Sequence, residues 1–148
     1  MERRCCAFIS PLRVNGKTIV TRNTTLGRNV NFNGMTIRGG GKVLIGDNFH
    51  SGVECNIITS FHNYEGKKVP YDETTIEKDV VIEDNVWLGN NVTVLGGVKI
   101  GEGSIIQAGS VVVSNIPKFS IAGGHPARVF GKRDVEHYEK LKLEGKFH

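Results

Sequence analysis

A six-residue beat runs unbroken from Ile76 to Pro117. Ile76, Ile82, Leu88, Val94, Ile100, Ile106 and Val112 recur every six residues, and Val80, Val86, Val92, Val98, Ser104, Ser110 and Ile116 follow each of them by four. Neither a helix, with its period of 3.6, nor an ordinary strand, with its period of 2, produces that spacing. A hexad headed by an apolar residue marks a parallel β-helix, in which each hexad supplies one short strand and one corner. The fourth hexad positions are Asp79, Asn85, Asn91, Gly97, Gly103, Gly109 and Asn115. All belong to the residue types that tolerate positive φ at a sharp corner. If three corners close one coil, residues eighteen apart stack, so Ile82 lies against Ile100 and Leu88 against Ile106 inside a three-sided prism.

The same geometry sends Val81, Trp87, Thr93, Lys99, Ile105 and Val111 outward. Trp87 and Ile105 on an outer face predict self-association, because contiguous exposed apolar surface usually marks an interface. Flat prism faces suit a ring about a three-fold axis. Earlier hexads begin at Leu26 and at Ile45, the second followed by Ser51 and Ile57, with Cys55 and Phe61 expected to point inward; Gly39-Gly40-Gly41 disturbs the register between them. A polar insertion over 62–75 reads as a loop projecting from a corner, where function is often carried. The tail over 133–143 sets Val135, Tyr138 and Leu141 at helical spacing and predicts a short amphipathic helix over the prism end, capping it.

One domain over 1–148 is expected: strand-like pieces in 1–25, the coil over 26–131 with its loop, and the helical tail over 132–148. The formal charge of +4 suits an anionic partner such as a phosphorylated cofactor or an acidic glycan. Without a dense basic block or interleaved aromatics, nucleic acid is not expected. Cys5, Cys6 and Cys55 form neither a disulfide framework nor a metal-ligand spacing. No stretch resembles a signal peptide or reaches membrane-spanning length, so the expected compartment is the cytoplasm.

The segments 82–89 (IEDNVWLG), 97–101 (GVKIG), 108–112 (AGSVV) and 122–129 (AGGHPARV) resemble the hexapeptide-repeat acyltransferases, in particular the maltose, galactoside and polysaccharide O-acetyltransferase branch. The resemblance covers residues 26 to 131. It implies a left-handed parallel β-helix within an all-β solenoid, assembly as a homotrimer, and acetyl-CoA as co-substrate with no metal. It also implies that His62 is the catalytic base that activates an acceptor hydroxyl, a role that suits imidazole near neutrality. The matching cofactor positions are Gly89, Asn90, Ala108, Val113, Ser114, Gly123 and Arg128. Val113-Ser114 stands where maltose-type relatives commonly carry Thr-Lys, so one phosphate contact is missing or is supplied by Lys118 or Lys132. For the acceptor, the resemblance points to Asn31 or Asn33, without deciding between them, and to Trp87.

The resulting expectation is acetyl transfer to a carbohydrate hydroxyl in polysaccharide or sugar-precursor synthesis. Three alternatives stand beside it. Similar streptogramin acetyltransferases and amino-sugar acetyltransferases would change the acceptor. A γ-type carbonic anhydrase would need three converging histidines, and Lys67 stands where a third ligand after His50 and His62 is required. A noncatalytic scaffold would leave His62 without a role.

Overall fold

The computed structural model describes residues 7–148; Cys5 and Cys6 lie outside the described residues. The chain winds as a parallel β-solenoid. Its first coil is β1 (Ala7–Phe8), β2 (Leu12–Val14) and β3 (Thr18–Ile19), and its second is β4 (Thr24–Leu26), β5 (Val30–Phe32) and β6 (Met35–Arg38). The third is β7 (Val43–Ile45), β8 (His50–Ser51) and β9 (Cys55–Ile58), followed by an excursion through β10 (Ser60–His62) and β11 (Thr75–Glu77). The fourth, β12 (Val80–Ile82), β13 (Trp87–Leu88) and β14 (Thr93–Leu95), leads to the fifth, β15 (Lys99–Ile100), β16 (Ile105–Ile106) and β17 (Val111–Val112). The coil ends in β18 (Ser120–Gly124) and β19 (Ala127–Lys132), and α1 (Val135–Leu143) follows.

Strands stack into three faces. The first is β1-β4-β7-β12-β15, the second β2-β5-β8-β13-β16-β18-β19, and the third β3-β6-β9-β14-β17. Register follows the expected stacking: Ile82 pairs with Ile100, Leu88 with Ile106 and Val94 with Val112, all in parallel. These residues are fully buried, as are Val80, Val92, Phe32, Phe49 and Ile57. Each such side chain contributes about 1.5–3 kcal/mol through burial. Strands of two or three residues have little stability alone, so the apolar columns and the hydrogen bonds between rungs hold each coil to the next.

Several expectations from the sequence need correction. The excursion leaves the coil between the third and first faces, and Ile76 pairs with Phe61 in its antiparallel stem rather than heading a rung. Phe61 does not point into the prism; its ring lies against the outside of Gly96. Asn85, Asn91, Gly97, Gly103 and Gly109 have positive φ, whereas Asp79 and Asn115 do not. Those two turn the corner differently, accepting hydrogen bonds from the amides of Lys42 and Lys99 at 2.7 and 2.8 Å. The coil also begins earlier than the repeat is legible, since Leu12 and Val14 already pair with Val30 and Phe32. At the other end β18 and β19 are antiparallel.

The helix does not cap the prism end. It lies along the edge between the first and second faces and runs back toward the earlier coils. A hydrogen-bonded column directs it there: Arg13 donates to Asn29, Asn29 to Asn48, Asn48 to Asn85, Asn85 to the Tyr138 hydroxyl, and that hydroxyl to Glu102. Lys142 joins the same Glu102 carboxylate. Phe119, at φ 60, packs edge-on against Tyr138, and the Arg133 guanidinium lies over the same ring, 5.6 Å from its centre. Positive φ is unusual for a bulky residue, and the Tyr138 contact accompanies the strain. Asp134 caps the helix by accepting from the His137 amide. Farther on, the backbone of His148 accepts from Asn29, so the whole C-terminal arm reaches from the last rungs to the second coil.

Burial alone would raise the Glu102 carboxyl, but Lys142 and Tyr138 outweigh it and hold it below its ordinary 4.5. Burial, with the nearby Glu102 charge, pushes Tyr138 up to about 12, and the bond to Glu102 raises Lys142. A depressed carboxyl contributes stability above its unfolded value and loses it as pH falls through the native one; raised groups contribute below theirs and lose it as pH rises. The near-ultraviolet circular dichroism of docked Tyr138 should therefore hold steady from about pH 5 to about pH 10. It should weaken outside that window and be lost as pH falls through the depressed Glu102 value or rises through about 12, before the far-ultraviolet β signal is lost.

Candidate active site

His62 stands at the end of the excursion's stem, opposite Thr75. Its ring stacks on Tyr71 with centroids 3.8 Å apart and planes 8° from parallel. No side-chain hydrogen bond engages the imidazole among the described residues, so both ring nitrogens are open. The loop beyond is tied from within. Asp72, only 9% exposed, accepts from the amides of Lys67 and Thr74 at 3.0 and 2.9 Å and from the Thr74 hydroxyl. The Thr74 hydroxyl, followed by those two amides, holds the Asp72 carboxyl below its ordinary range. Gly66 runs so close to this carboxylate that a Cβ there would overlap it. At the base, Glu77 accepts from the Ser60 hydroxyl and from the Gly40 amide, tying the stem to the Gly39-Gly40-Gly41 corner. Sequence reasoning missed both carboxylates, although Asp72-Glu73-Thr74 carries the spacing of a side-chain turn.

A second constellation occupies the second face. Asn31, His50, Trp87, Ile105 and Ile121 succeed one another along its outer surface, rung by rung. Asn31 is 5% exposed; its amide donates to the Asn29 carbonyl at 3.0 Å and lies 3.2 Å from His50 Nε2. Asn33 sits at the next corner, donating to the Ser51 carbonyl and accepting from Asn15. Of the two asparagines, Asn31 is thus the one that shares a face with Trp87. Trp87 is 52% exposed. The C-terminal arm flanks this face, and between them lies a groove of about 660 Å³. Burial first, then the charge of His148, whose ring centroid is 5.3 Å away, lowers the pKa of His50.

The residues matched to a cofactor are distributed over the corners. Gly89, Asn90 and Ala108 lie at the corner between the second and third faces, and Val113-Ser114 at the corner above the excursion. Gly89 is explained by its own chain, since a Cβ would meet the Ala108 backbone; a Cβ at Gly123 would meet Gln107. Gly109, beside Ala108, faces open space. Lys118 is elsewhere, at the corner between the first and second faces, 3.5 Å from Glu102 and 4.0 Å from Glu83. Arg128 and Lys132 lie on β19. Within one chain, His62 leaves the edge opposite the second face, so it does not meet Asn31 or Trp87. The same separation keeps His50 and His62 apart, and no three His, Cys, Asp or Glu side chains converge as a metal site among the described residues.

Residues 79–114 match the family described as bacterial transferase hexapeptide (six repeats). The chain is 40% identical over 96 residues to WbbJ of Escherichia coli K12, a candidate lipopolysaccharide biosynthesis O-acetyl transferase, covering 64% of this chain and 45% of that protein. A solved maltose O-acetyltransferase from Clostridium difficile 630 is 29% identical with a TM-score of 0.69, over 86% of this chain and 66% of that one. A galactoside acetyltransferase solved with coenzyme A is also 29% identical with a TM-score of 0.69, over 85% and 66%. This chain spans about half the length of the curated relatives it matches. Its repeat over residues 79–114 matches that of the hexapeptide transferases, and its fold is similar to that of the solved sugar acetyltransferases.

The geometry of the excursion depends on Asp72. Asp72→Asn removes the charge that three donors converge on, so amide exchange at Lys67 and Thr74 should accelerate while the denaturation midpoint of the coil stays unchanged. Exchange rates equal to those of the native chain would show that the loop is held by something else.

Proposed function

We propose that this hexapeptide-repeat protein is an acetyl-CoA-dependent O-acetyltransferase that acts on a carbohydrate hydroxyl with His62 as general base. The carrying observation is the imidazole at the head of a braced hairpin, with Tyr71 behind it and its nitrogens free. A hydroxyl is a poor nucleophile until its proton is removed, and a neutral imidazole within hydrogen-bond reach takes that proton as the bond forms. The acceptor oxygen attacks the thioester carbonyl, and a backbone N–H stabilises the developing oxyanion. The tetrahedral species then collapses: the C–S bond breaks, the acetyl group stays on the acceptor oxygen, and the proton held by His62 passes to the departing thiolate. Transfer is direct, because among the described residues no serine or cysteine is paired with a histidine to form an acyl-enzyme.

Asn90, Ala108 and Val113-Ser114 are the proposed line for the pantetheine arm, and the open space beside Gly109 supports it. Gly89 and Gly123 serve the packing of the coil, and their contribution to the cofactor is made by backbone alone. Arg128 is the proposed phosphate partner, suited by its fixed array of donors; Lys118 already faces Glu102 and Glu83. The site is completed in a homotrimer, where the hairpin of one protomer approaches the Asn31 and Trp87 face of the next. The separation of these groups within one chain and the half-exposed Trp87 support that arrangement. The names of the relatives support a sugar or polysaccharide acceptor, and a cytoplasmic location fits the requirement for acetyl-CoA.

His62→Ala should lower kcat by about 10²–10⁴-fold in release of free coenzyme A across a panel of hexoses and glycans, with the KM for acetyl-CoA unchanged. Full activity in that variant would mean that the histidine is not the base.

A further inference from the structure

We infer that the groove between the C-terminal arm and the second face is the acceptor subsite and that it selects an anionic saccharide, a sugar carrying a carboxylate or a phosphate. This rests on the reading of the chain as a sugar acetyltransferase. The floor is apolar, formed by Trp87, Ile105 and Ile121, and the half-exposed indole offers a flat surface to the C–H face of a pyranose. Beside it His50 lines the groove, its Nε2 lying 3.2 Å from the amide of the nearly buried Asn31. At about 660 Å³ the space suits a small molecule rather than a macromolecule.

Charge decides the class of sugar. Lys132, Arg133, Lys142 and Lys146 line the groove against a single side-chain carboxylate, Asp134, whose Oδ1 already caps α1. Two of the cations are engaged: Lys142 by Glu102, and Arg133 by the Gly103 carbonyl and the Tyr138 ring. Two remain available. Lys132 makes no ion pair among the described residues, and Lys146 reaches only Glu144, an exposed pair of small worth. A neutral hexose would leave this excess positive charge unmatched, whereas a carboxylate or phosphate would meet it with charge-assisted hydrogen bonds. Coenzyme A is also anionic, but Asn90, Ala108 and Val113-Ser114, the proposed line for its pantetheine arm, lie at other corners of the prism, and neither they nor Arg128 line this groove.

Trp87 is the only tryptophan in the chain, so its fluorescence reads occupancy of the groove directly. Titration with galacturonic acid, galactose 6-phosphate and galactose should show that at least one of the acids quenches Trp87, with an affinity that falls as salt rises. Galactose should produce no change at the same concentrations. Replacing Lys146 by Gln should weaken binding of the acid about ten-fold and leave binding of coenzyme A unchanged. Stronger quenching by one acid identifies the charged group. Equal binding of galactose, no response to any of the three, or displacement of the acids by coenzyme A would overturn the inference. Because the readout needs no turnover, a chain that binds the acids but transfers no acetyl group would refute the acetyltransferase reading and leave the subsite standing.

Discussion

The inward ladder of apolar side chains is the interaction on which everything else here rests. A strand of two residues has almost no cooperativity of its own, yet Leu88 lies between Ser51 and Ile106, and Val94 between Ile57 and Val112. Parallel register therefore repeats rung after rung, and so do the corners. The repetition turns single side chains into columns. On the edge between the first and second faces, Asn29, Asn48 and Asn85 share both the left-handed backbone conformation and a chain of amide hydrogen bonds. That column is a polar seam on an otherwise closed prism, and Tyr138 fastens the C-terminal arm to its end.

The coil is interrupted at one edge and overlaid at another, and the proposed chemistry lies at these two places. The hairpin that carries His62 leaves one edge, braced by Asp72 inside its loop and by Glu77 at its root. The arm covers another edge and makes a groove out of a flat sheet. These two devices are held apart by the same rigid prism that positions them. Under the proposed function, a protomer carries a base without an acceptor surface on one side and an acceptor surface without a base on the other. The proposed association of copies would resolve that mismatch with no change in either element.

The ladder was legible in the sequence because a six-residue period survives every substitution among Ile, Val and Leu. Period alone could not separate the coil from what imitates it. Ile76 keeps the beat, yet its partner is Phe61 across an antiparallel stem rather than a residue of the next rung. Asp79 and Asn115 look like corner residues and are, but through their side-chain oxygens instead of through positive φ. Helical spacing announced α1, whereas its path depended on Asn85 and Glu102, residues that read locally as a corner and a surface charge. Asn31 could be chosen over Asn33 as the companion of Trp87 only after the register of β5 was known.

Division of the site between copies is the claim that can be tested most directly. His62→Ala and Trp87→Ala chains, each inactive by itself, should regain acetyl transfer when co-expressed, because a mixed assembly contains junctions where an intact hairpin faces an intact second face. A co-expressed mixture that remained as inactive as either parent, with mixed assemblies demonstrated by mass, would contradict the account.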